Sequence, residues 1–599
     1  MKATAILTWI KNQLNILDWL PNYTKKDLAG DLKSGATVGV IEIPQAMAYA
    51  VIAGLSPIYG LYGSLIPLLI YPLFGTSRHL ALGIVATDMI IIASGASMVA
   101  APGTDKYVTA VLLLTMLVGL VHIAMSLFRM GFLVNLLSKP VIYGFMVAAP
   151  IIIGFSQMGN LMGIELERTQ YVGVLAMQII DQIEMINPVA LAIGAGGLVL
   201  LFVLQKINPL FPRALLLIAG GGVAVWFFNL ERFNIDVIGV VPAGLPSFEL
   251  HEFTREDIRL LLPTVTTLVL IQLMAIMSLG KTFGNKYKYP IDPNKEFFAL
   301  GMANFVGSFF QSPPISGSFS RTAVSDQAGT RTPLSNVVTA IIIGLTLLFL
   351  TPLFYFVPMP ALAAVIIAAT ISLLDLSELR YLFKTKRSEA YIAIFTFLCT
   401  LIIGIQEGIL LGIGASLFSV LYRTSRPNVA VLGHIEGSRT FRDVERNKKA
   451  QPIDELLILR FDSSLEFSNA DYIKDFIIDH SGEQNKQIRA VVIDAKSIND
   501  IDTTAIEILQ SVRETLEEWD IELHFAGLKS PVQKLLTRSG LARKLGGTHF
   551  HESTHDAITY LLEKWDREEE EKESEDEKNG ENGTSEKPHR LKDYLSDTD

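Results

Sequence analysis

The sequence is poor in cysteine and lacks the motifs of ATP-driven pumps and common enzymes. One cysteine, Cys399, occurs in 599 residues, which excludes a disulfide framework and a cysteine-based metal site. No phosphate-binding loop of the GxxxxGK[ST] type is present, which argues against a primary pump. Neither a Ser/His/Asp constellation nor a metal-ligand set is recognisable. We therefore expect no enzyme activity, no cofactor and no nucleic acid partner.

Charge is scarce in one part of the chain only. Charged residues make up 18% of the sequence, but they are sparse from about Ser34 to Leu421 and dense from Arg423 onward. This shift separates a membrane body from a soluble tail. Residues 1–30 lack the continuous apolar stretch and cleavage site of a signal peptide, and we expect them to form a cytoplasmic segment at the membrane interface.

Apolar runs of the length that crosses a bilayer, roughly 17–25 residues, recur along the body. Lysines precede the first run and Arg423 and Arg426 follow the last, so an even number of spans puts both termini in the cytoplasm. With a half-span near 317–329, the sequence predicts about fourteen spans. The full-length candidates lie near 34–53, 57–74, 80–99, 108–128, 132–154, 187–205, 213–229, 260–280, 296–311, 334–351, 359–374, 390–404 and 408–422.

Two spans are interrupted at corresponding places. Residues 75–79 (GTSRH) break the approach to the third span, and residues 312–318 (SPPISGS) break the approach to the tenth. Paired interruptions in the two halves indicate a transporter built from inverted repeats.

The second interruption is followed by an arginine. A helix that starts at membrane depth presents unpaired N–H groups and a positive dipole end, which favour an anion. Arg321 would add a full charge within the first turn of such a helix. The sequence alone leaves alternatives open, because Arg321 can also pair with Asp326 or Glu42, or face water.

The soluble tail alternates strands and helices. Runs at 456–462, 490–495 and 521–527 are typical of buried strands, and 469–480 and 502–519 have helical spacing. This order predicts a small α/β domain. The charge block from Arg567 onward has no apolar anchors and is predicted to be disordered.

Three long motifs resemble the sulfate permease (SulP) family of anion transporters and exchangers. They are IEIPQAMAYAVIAGLSPIYGLYGSLIPLLIYPLFGTSRHLALG (41–83), SGSFSRTAVSDQAGTRTPLSN with DPNKEFFALGMANFVGSF upstream, and RPNVAVLGHIEGSRTFRDVE (426–445). The last resembles the start of a STAS domain (sulfate transporter and anti-sigma-factor antagonist). The resemblance implies a polytopic α-helical membrane protein of fourteen spans in two inverted seven-span repeats, with core and gate domains, followed by a cytoplasmic α/β STAS domain.

The resemblance also implies a domain division and an anion site. The expected boundaries are 1–30 for the N-terminal segment, 31–424 for the transport domain, 426–565 for the STAS domain and 566–599 for the acidic tail. The site would lie between the half-helices of the third and tenth spans. Its residues, carried over by motif, are Gln45, Tyr49, Val85, Ala86, Phe319, Ser320 and Arg321. Helix packing remains an alternative role for Tyr49 and Phe319, as does a bond between helices for Gln45.

The sequence departs from the family pattern in two places. Gly83–Ile84 stands where the third half-helix usually opens Gly-Pro, and Asp88 follows one turn later; its negative charge can reach the anion site, but we expect it to pair with a nearby basic group. Ala275 stands where cation- or proton-coupled members carry a carboxylate. Glu42, one turn before Gln45, is then the remaining coupling candidate, since a buried carboxyl can exchange a proton near neutral pH.

Thr503 occupies the position at which bacterial relatives of the STAS domain are phosphorylated. A phosphate at a helix N-terminus is electrostatically favourable, but a plain capping role for Asp502 or Thr503 is the alternative that we favour.

The predicted function is secondary transport of a small anion across the cell membrane by alternating access. Sulfate is the leading substrate, with chloride, bicarbonate and dicarboxylates open, and the mode is exchange or proton symport. Two rivals remain: an uncoupled anion channel, and a sensor or scaffold in which a cytoplasmic protein binds the STAS domain. The family resemblance further implies a homodimer.

Overall fold

The computed structural model describes residues 13–132, 138–167, 169, 171–207, 213–250, 252–371, 374, 376–482 and 488–579. For residue 406 and for residues 572–579 only the backbone is described. The chain divides into two compact units, Met1–Ser416 and Leu417–Asp599. This division falls inside the last apolar helix, a few residues before the boundary expected at 424.

The first half of the membrane unit contains seven spans. Its second span is formed by two short helices, and its third by a short strand followed by a half-length helix. The elements are α1 (Ile16–Trp19), α2 (Lys25–Ile52), α3 (Pro57–Gly63), α4 (Ile66–Phe74), β1 (Leu82–Gly83), α5 (Ala86–Ser97), α6 (Asp105–Leu127), α7 (Lys139–Met162), α8 (Val172–Asp181), α9 (Pro188–Ile207) and α10 (Arg213–Phe228).

The second half repeats this order. Its third span is again a strand and a half-length helix. The elements are α11 (Arg255–Tyr287), α12 (Pro293–Ser308), β2 (Ser316–Gly317), α13 (Phe319–Ala328), α14 (Leu334–Phe349), α15 (Met359–Ile371), α16 (Ser377–Thr385), α17 (Arg387–Ile402) and α18 (Ile405–Ser425).

Three local features mark the two halves as repeats. Each half opens with a helix whose threonine cap and third-residue aspartate bond reciprocally, Thr24 with Asp27 and Thr254 with Asp257, the arrangement known as a capping box. Each half places a strand and a half-helix third. Each also carries a short extra helix, α8 or α16, between its fifth and sixth spans. The prediction of fourteen spans in two seven-span repeats is confirmed.

The first span starts earlier than predicted. The capping box at Thr24 begins α2 at Lys25, so the expected boundary between residues 30 and 31 lies inside a helix. The early start has a structural consequence, because it carries the fully buried Asp31 to the end of the tenth span. There its carboxylate accepts backbone N–H groups of Arg331 and Thr332 at 2.8 and 3.0 Å.

The second unit contains a mixed sheet with helices on its faces. The strand order is β4-β3-β6-β7-β8-β9, and β5 also pairs with β3. Strands β6 to β9 are parallel, while β3 runs antiparallel to β6. The strands are β3 (Val429–Ile435), β4 (Phe441–Asp443), β5 (Ala450–Gln451), β6 (Leu456–Phe461), β7 (Ala490–Asp494), β8 (Glu522–Ala526) and β9 (Phe550–His551). The helices are α19 (Ala470–Ser481), α20 (Thr503–Glu518), α21 (Ser530–Arg538), α22 (Leu541–Leu545) and α23 (Thr554–Asn579).

The sheet separates two apolar cores, as its strand alternation requires. One core packs α19, α20 and α21 against the sheet, and the other is closed by α23, whose Trp565 is 1% exposed. The predicted α/β domain is confirmed. Predicted disorder from residue 566 is wrong for the start of the tail, because α23 continues through Asn579. Glu568 in this helix pairs with Arg489 at 2.7 Å, and Glu and Lys are strong helix formers. Residues 580–599 lie outside the described residues.

Candidate functional site

The two interrupted spans meet through their strands. β1 and β2 pair antiparallel, with Leu82 opposite Gly317 and Gly83 opposite Ser316. Because each strand leads directly into a half-helix, the starts of α5 and α13 lie close together and the helices leave in opposite directions. The first N–H groups of both helices, which have no partner within a helix, converge on one region. The two positive dipole ends add there.

The start of α13 is formed by a serine cap and the predicted arginine. Ser318 Oγ accepts the backbone N–H of Arg321 at 3.4 Å, so the glycine–serine punctuation caps the helix as expected. The Arg321 side chain is 1% exposed and donates from Nη2 to the carbonyl of Ile84 at 2.8 Å. The tenth span is thereby bonded to the chain that enters α5.

Arg321 also faces the buried acid of the first span. Its Nη2 lies 3.9 Å from Oε1 of Glu42, which is fully buried and accepts a hydrogen bond from Ser64 at 2.7 Å. Of the alternatives left open by the sequence, the pairing with Glu42 is therefore present, whereas Asp326 pairs with Lys286 at 2.6 Å. Nε and Nη1 of Arg321 are buried without a hydrogen-bond partner among the described residues.

A cavity of about 100 Å³ lies at the converging helix starts. Five of the residues carried over from the family line it, namely Tyr49, Val85, Ala86, Phe319 and Ser320. The other predicted residues, Gln45, Arg321 and the coupling candidate Glu42, are not part of its lining. Arg321 thus lies outside the cavity lining, while Ser320 and the first residues of both half-helices belong to it.

Comparison with known families agrees with this architecture. The model of the sulfate permease family matches residues 28–396, and the STAS domain model matches residues 447–557. The chain belongs to the sulfate permease family. It is an anion transporter and not an enzyme, as predicted. Sulfate transporter 4.1, chloroplastic, of Arabidopsis thaliana is 32% identical over 94% of this chain and 84% of its own length. Sulfate transporter 1.2 of the same plant is 31% identical over 93% and 89%.

Solved structures share the fold of this permease. A structure of SLC26A9 superposes with a TM-score of 0.86 at 22% identity, covering 95% of this chain and 96% of its own. Murine Slc26a9 in the inward-facing state gives 0.85 at 22% identity, over 92% and 94%. The transmembrane domain of the cyanobacterial bicarbonate transporter BicA gives 0.57 at 21% identity, covering 66% of this chain and 98% of that domain.

Asp88 is bound differently in this permease from what we predicted. Among the described residues no basic group pairs with it. Instead its carboxylate accepts the amide N–H of Gln272 at 2.9 Å and lies 3.4 Å from the hydroxyl of Thr87. Asp88 is 1% exposed and lines the cavity with Ala275, which is one helical turn beyond Gln272. The prediction failed because Gln272 lies on the eighth span, far away in sequence.

A buried polar chain continues from this acid to the tenth span. Asn304 on α12 donates to the amide oxygen of Gln272 at 3.4 Å, and its own amide oxygen accepts the backbone N–H of Ile315 at 2.8 Å. All four residues are buried. This network joins Asp88 to the residue directly before β2. Asn304 lies in the family-like segment 292–309, but nothing in the sequence marks its amide or that of Gln272 as part of this network.

Thr503 lies at the start of α20 in the second unit. Asp502 caps that helix by accepting the N–H of Ala505 at 2.8 Å, and Thr503 is exposed as the first helical residue. The capping role that we favoured is therefore held by Asp502. The hydroxyl of Thr503 stands free of the cap at the positive end of the helix.

Proposed function

We propose that this permease carries sulfate by alternating access, with the anion held at the starts of α5 and α13. The observation that carries the proposal is the cavity lined by both helix starts, with the buried Arg321 guanidinium bonded to the carbonyl of Ile84 just before α5. Sulfate is favoured over other anions because the two Arabidopsis relatives described above are sulfate transporters by name. Chloride, bicarbonate and a dicarboxylate are the competing substrates that a transport assay must include.

Each lining residue has a physical role in this proposal. Ser320 donates its hydroxyl, and the helix-start N–H groups of Ala86 and Phe319 supply further donors. Tyr49 and Phe319 border the cavity with apolar ring surface, which keeps water out and strengthens the electrostatic attraction. Gln45 does not line the cavity, and its amide oxygen is buried without a partner among the described residues. Its amide N–H group would donate to the anion only after the first span moves toward the cavity.

The size of the cavity favours a small anion. One water molecule needs roughly 10–15 Å³ of such space, so about 100 Å³ accommodates a small inorganic anion with few waters.

We propose coupling to protons through a buried carboxylate, for which the chain offers two candidates. Glu42, the candidate from the sequence, faces Arg321 at 3.9 Å and does not line the cavity. Asp88 lines the cavity itself, and its hydrogen-bond partners in the part of the chain that the structure describes are the neutral donors Gln272 and Thr87. A negative Asp88 repels an incoming anion, whereas a protonated Asp88 does not, so proton and anion would enter together. We therefore favour Asp88 over Glu42.

The test of the site is sulfate uptake into proteoliposomes with Arg321 replaced. Arg321→Ala should reduce uptake at least about tenfold, since it removes a full positive charge that is buried beside the chain entering α5. Arg331→Ala is the matched control, because Arg331 is exposed at the end of the same span. Unchanged rate and affinity in Arg321→Ala would falsify the site.

The same proteoliposomes distinguish a carrier from the rival channel. Faster uptake when the liposomes are preloaded with sulfate (trans-stimulation) identifies a carrier. A current that rises linearly with voltage, without trans-stimulation, identifies the channel.

The cellular arrangement follows from the same proposal. We infer a location in the cell membrane with both termini in the cytoplasm, a transport domain over 31–424, a STAS domain over 426–565, and a homodimer. The lysines in the first turns of α2 and the arginines at the end of α18, Arg423 and Arg426, support this orientation. Labelling of single cysteines placed at Lys26 and Arg426 in a Cys399→Ser background tests it, and cross-linking in membranes tests the dimer. A stoichiometric cytoplasmic protein retained by the chain would instead support the sensor or scaffold.

A further inference from the structure

A cluster of histidines lies on one face of the sheet in the second unit. Glu522 and His524 are two residues apart on β8, so their side chains point to the same face. His551 lies on the neighbouring strand β9, and His549 is in the turn directly before it. Helix α23 covers this face and brings Lys564 to the same place.

Three of these side chains bring ligand atoms together. One oxygen of Glu522 and one ring nitrogen each of His524 and His549 all lie within 4.8 Å of one another. Oε2 of Glu522 is 3.1 Å from Nε2 of His524. Two ligand atoms on one tetrahedral zinc ion are roughly 3.3 Å apart, so this pair already has the required separation.

The remaining contacts occupy the Nδ1 atom of each of the two histidine rings. Nδ1 of His549 bonds the backbone carbonyl of Leu523 at 2.9 Å. A ring held in this way carries its proton on Nδ1 and leaves Nε2 free to bind a metal. Nδ1 of His524 is likewise occupied, 3.0 Å from Nε2 of His551.

The carboxylate is arranged in the same manner. Lys564 donates to Oε1 of Glu522 at 2.6 Å, which leaves Oε2 for His524 or for a metal ion. Because Lys564 uses one oxygen only, it orients the carboxylate for binding through the other.

We propose that Glu522, His524 and His549 form a binding site for a divalent transition metal, with zinc as the expected ion. Two imidazole nitrogens and one carboxylate oxygen form a ligand set that suits Zn²⁺. Mg²⁺ and Ca²⁺ prefer ligand sets made of oxygen atoms, so this set does not suit them. Three protein ligands leave a fourth position for water. His551 and Lys564 are positioning residues that hold the ligands. Sequence inspection missed the site because its ligands come from one strand and a turn far apart in the chain, without the spacings of known zinc motifs.

The experiment measures zinc binding directly on the full-length protein. The chain is purified in detergent with a tag that contains no histidine, stripped with a chelator and titrated with Zn²⁺ at neutral pH in competition with a chromophoric chelator. We expect one zinc ion per chain. His549→Ala and His524→Gln should each weaken binding about tenfold or more. His480→Gln is the control, because His480 is exposed on α19 of the same unit and should leave binding unchanged.

A second readout separates loss of the site from loss of folding. Co²⁺ bound by the wild type should give the visible absorption of a four-coordinate ion, and this signal should vanish in His549→Ala while the far-ultraviolet circular dichroism is retained. Absence of stoichiometric zinc binding by the wild type would overturn the proposal. Equal binding by wild type and both ligand variants, or an equal loss in the His480 control, would also overturn it.

Discussion

The two interrupted spans occupy equivalent places in the two halves of the membrane unit, yet they carry opposite charges. The start of α13 has a serine cap and Arg321 in its first turn, while the start of α5 has Val85 as an uncapped first position and Asp88 in its first turn. Asp88 lines the cavity, whereas Arg321 does not.

This difference indicates a division of labour between the repeats. The backbone supplies both halves with the same feature, a positive helix start, which by itself attracts any anion. The side chains then distinguish the two ends. Arg321 strengthens the attraction from a position where Glu42 balances its charge, and Asp88 opposes the attraction whenever it is ionised. In the proposed mechanism, a symmetric fold thus holds an asymmetric site, in which one half binds the anion and the other half regulates binding.

The largest expected effect comes from the contact that joins the two halves. Gly83 has φ +145°, and a Cβ there would lie 1.9 Å from Oε1 of Glu42 and 2.8 Å from Nη2 of Arg321. Gly83→Ala should therefore displace the ion pair, abolish uptake and reduce the free energy of unfolding by about 3 kcal/mol or more. Uptake in proteoliposomes and thermal unfolding in detergent measure the two effects.

The matched control for this change is Gly103→Ala. Gly103 also has positive φ, +86°, but nothing lies within 4 Å of its added Cβ, so only the backbone cost of about 1 kcal/mol is expected. Similar losses in both variants would mean that the ion pair plays no part in joining the halves.

The next effect tests the regulating half. Asp88→Asn should keep trans-stimulated sulfate exchange but remove the several-fold stimulation of net uptake by an inward proton gradient, because the asparagine cannot change charge. Exchange and gradient-driven uptake are compared in the same proteoliposomes. Glu42→Gln serves as the comparison: if it removes the gradient effect while Asp88→Asn retains it, coupling belongs to the first span.

Sequence reasoning reached the fold and part of the site. Hydropathy, punctuation and motif resemblance gave the spans, the repeats and five residues of the cavity lining. They did not show that the Arg321 side chain lies outside the cavity lining, because the direction of that side chain depends on how β1 and β2 pair. They also misassigned the partner of Asp88, since Gln272 and Asn304 approach it from other spans. Long-range contacts of single amides leave no local pattern in a sequence.

A smaller effect tests the cap that only one half possesses. Ser318→Ala removes the side chain that accepts the N–H of Arg321 and should cost about 1 kcal/mol, seen as a lower unfolding temperature and a few-fold weaker sulfate affinity. Val85→Ser should add a cap to α5, which has none, and raise the unfolding temperature. No change in either variant would show that the strand pair, rather than capping, fixes both helix starts.

The smallest effect concerns a helix start outside the membrane, where the same physics operates in water. Asp502→Ala should destabilise the second unit by about 1 kcal/mol, because Asp502 caps α20. Thr503→Ala should change its stability by less than about 0.5 kcal/mol, because Thr503 is exposed and makes no cap. Chemical denaturation of the full-length chain, followed by the fluorescence of Trp519 and Trp565 in variants that lack the other tryptophans, separates the two. A Thr503→Ala effect as large as that of Asp502→Ala would mean that the threonine hydroxyl shares the cap. In that case, phosphorylation of Thr503 would remove part of the cap. This loss would oppose the stabilisation that a phosphate at a helix N-terminus is expected to bring.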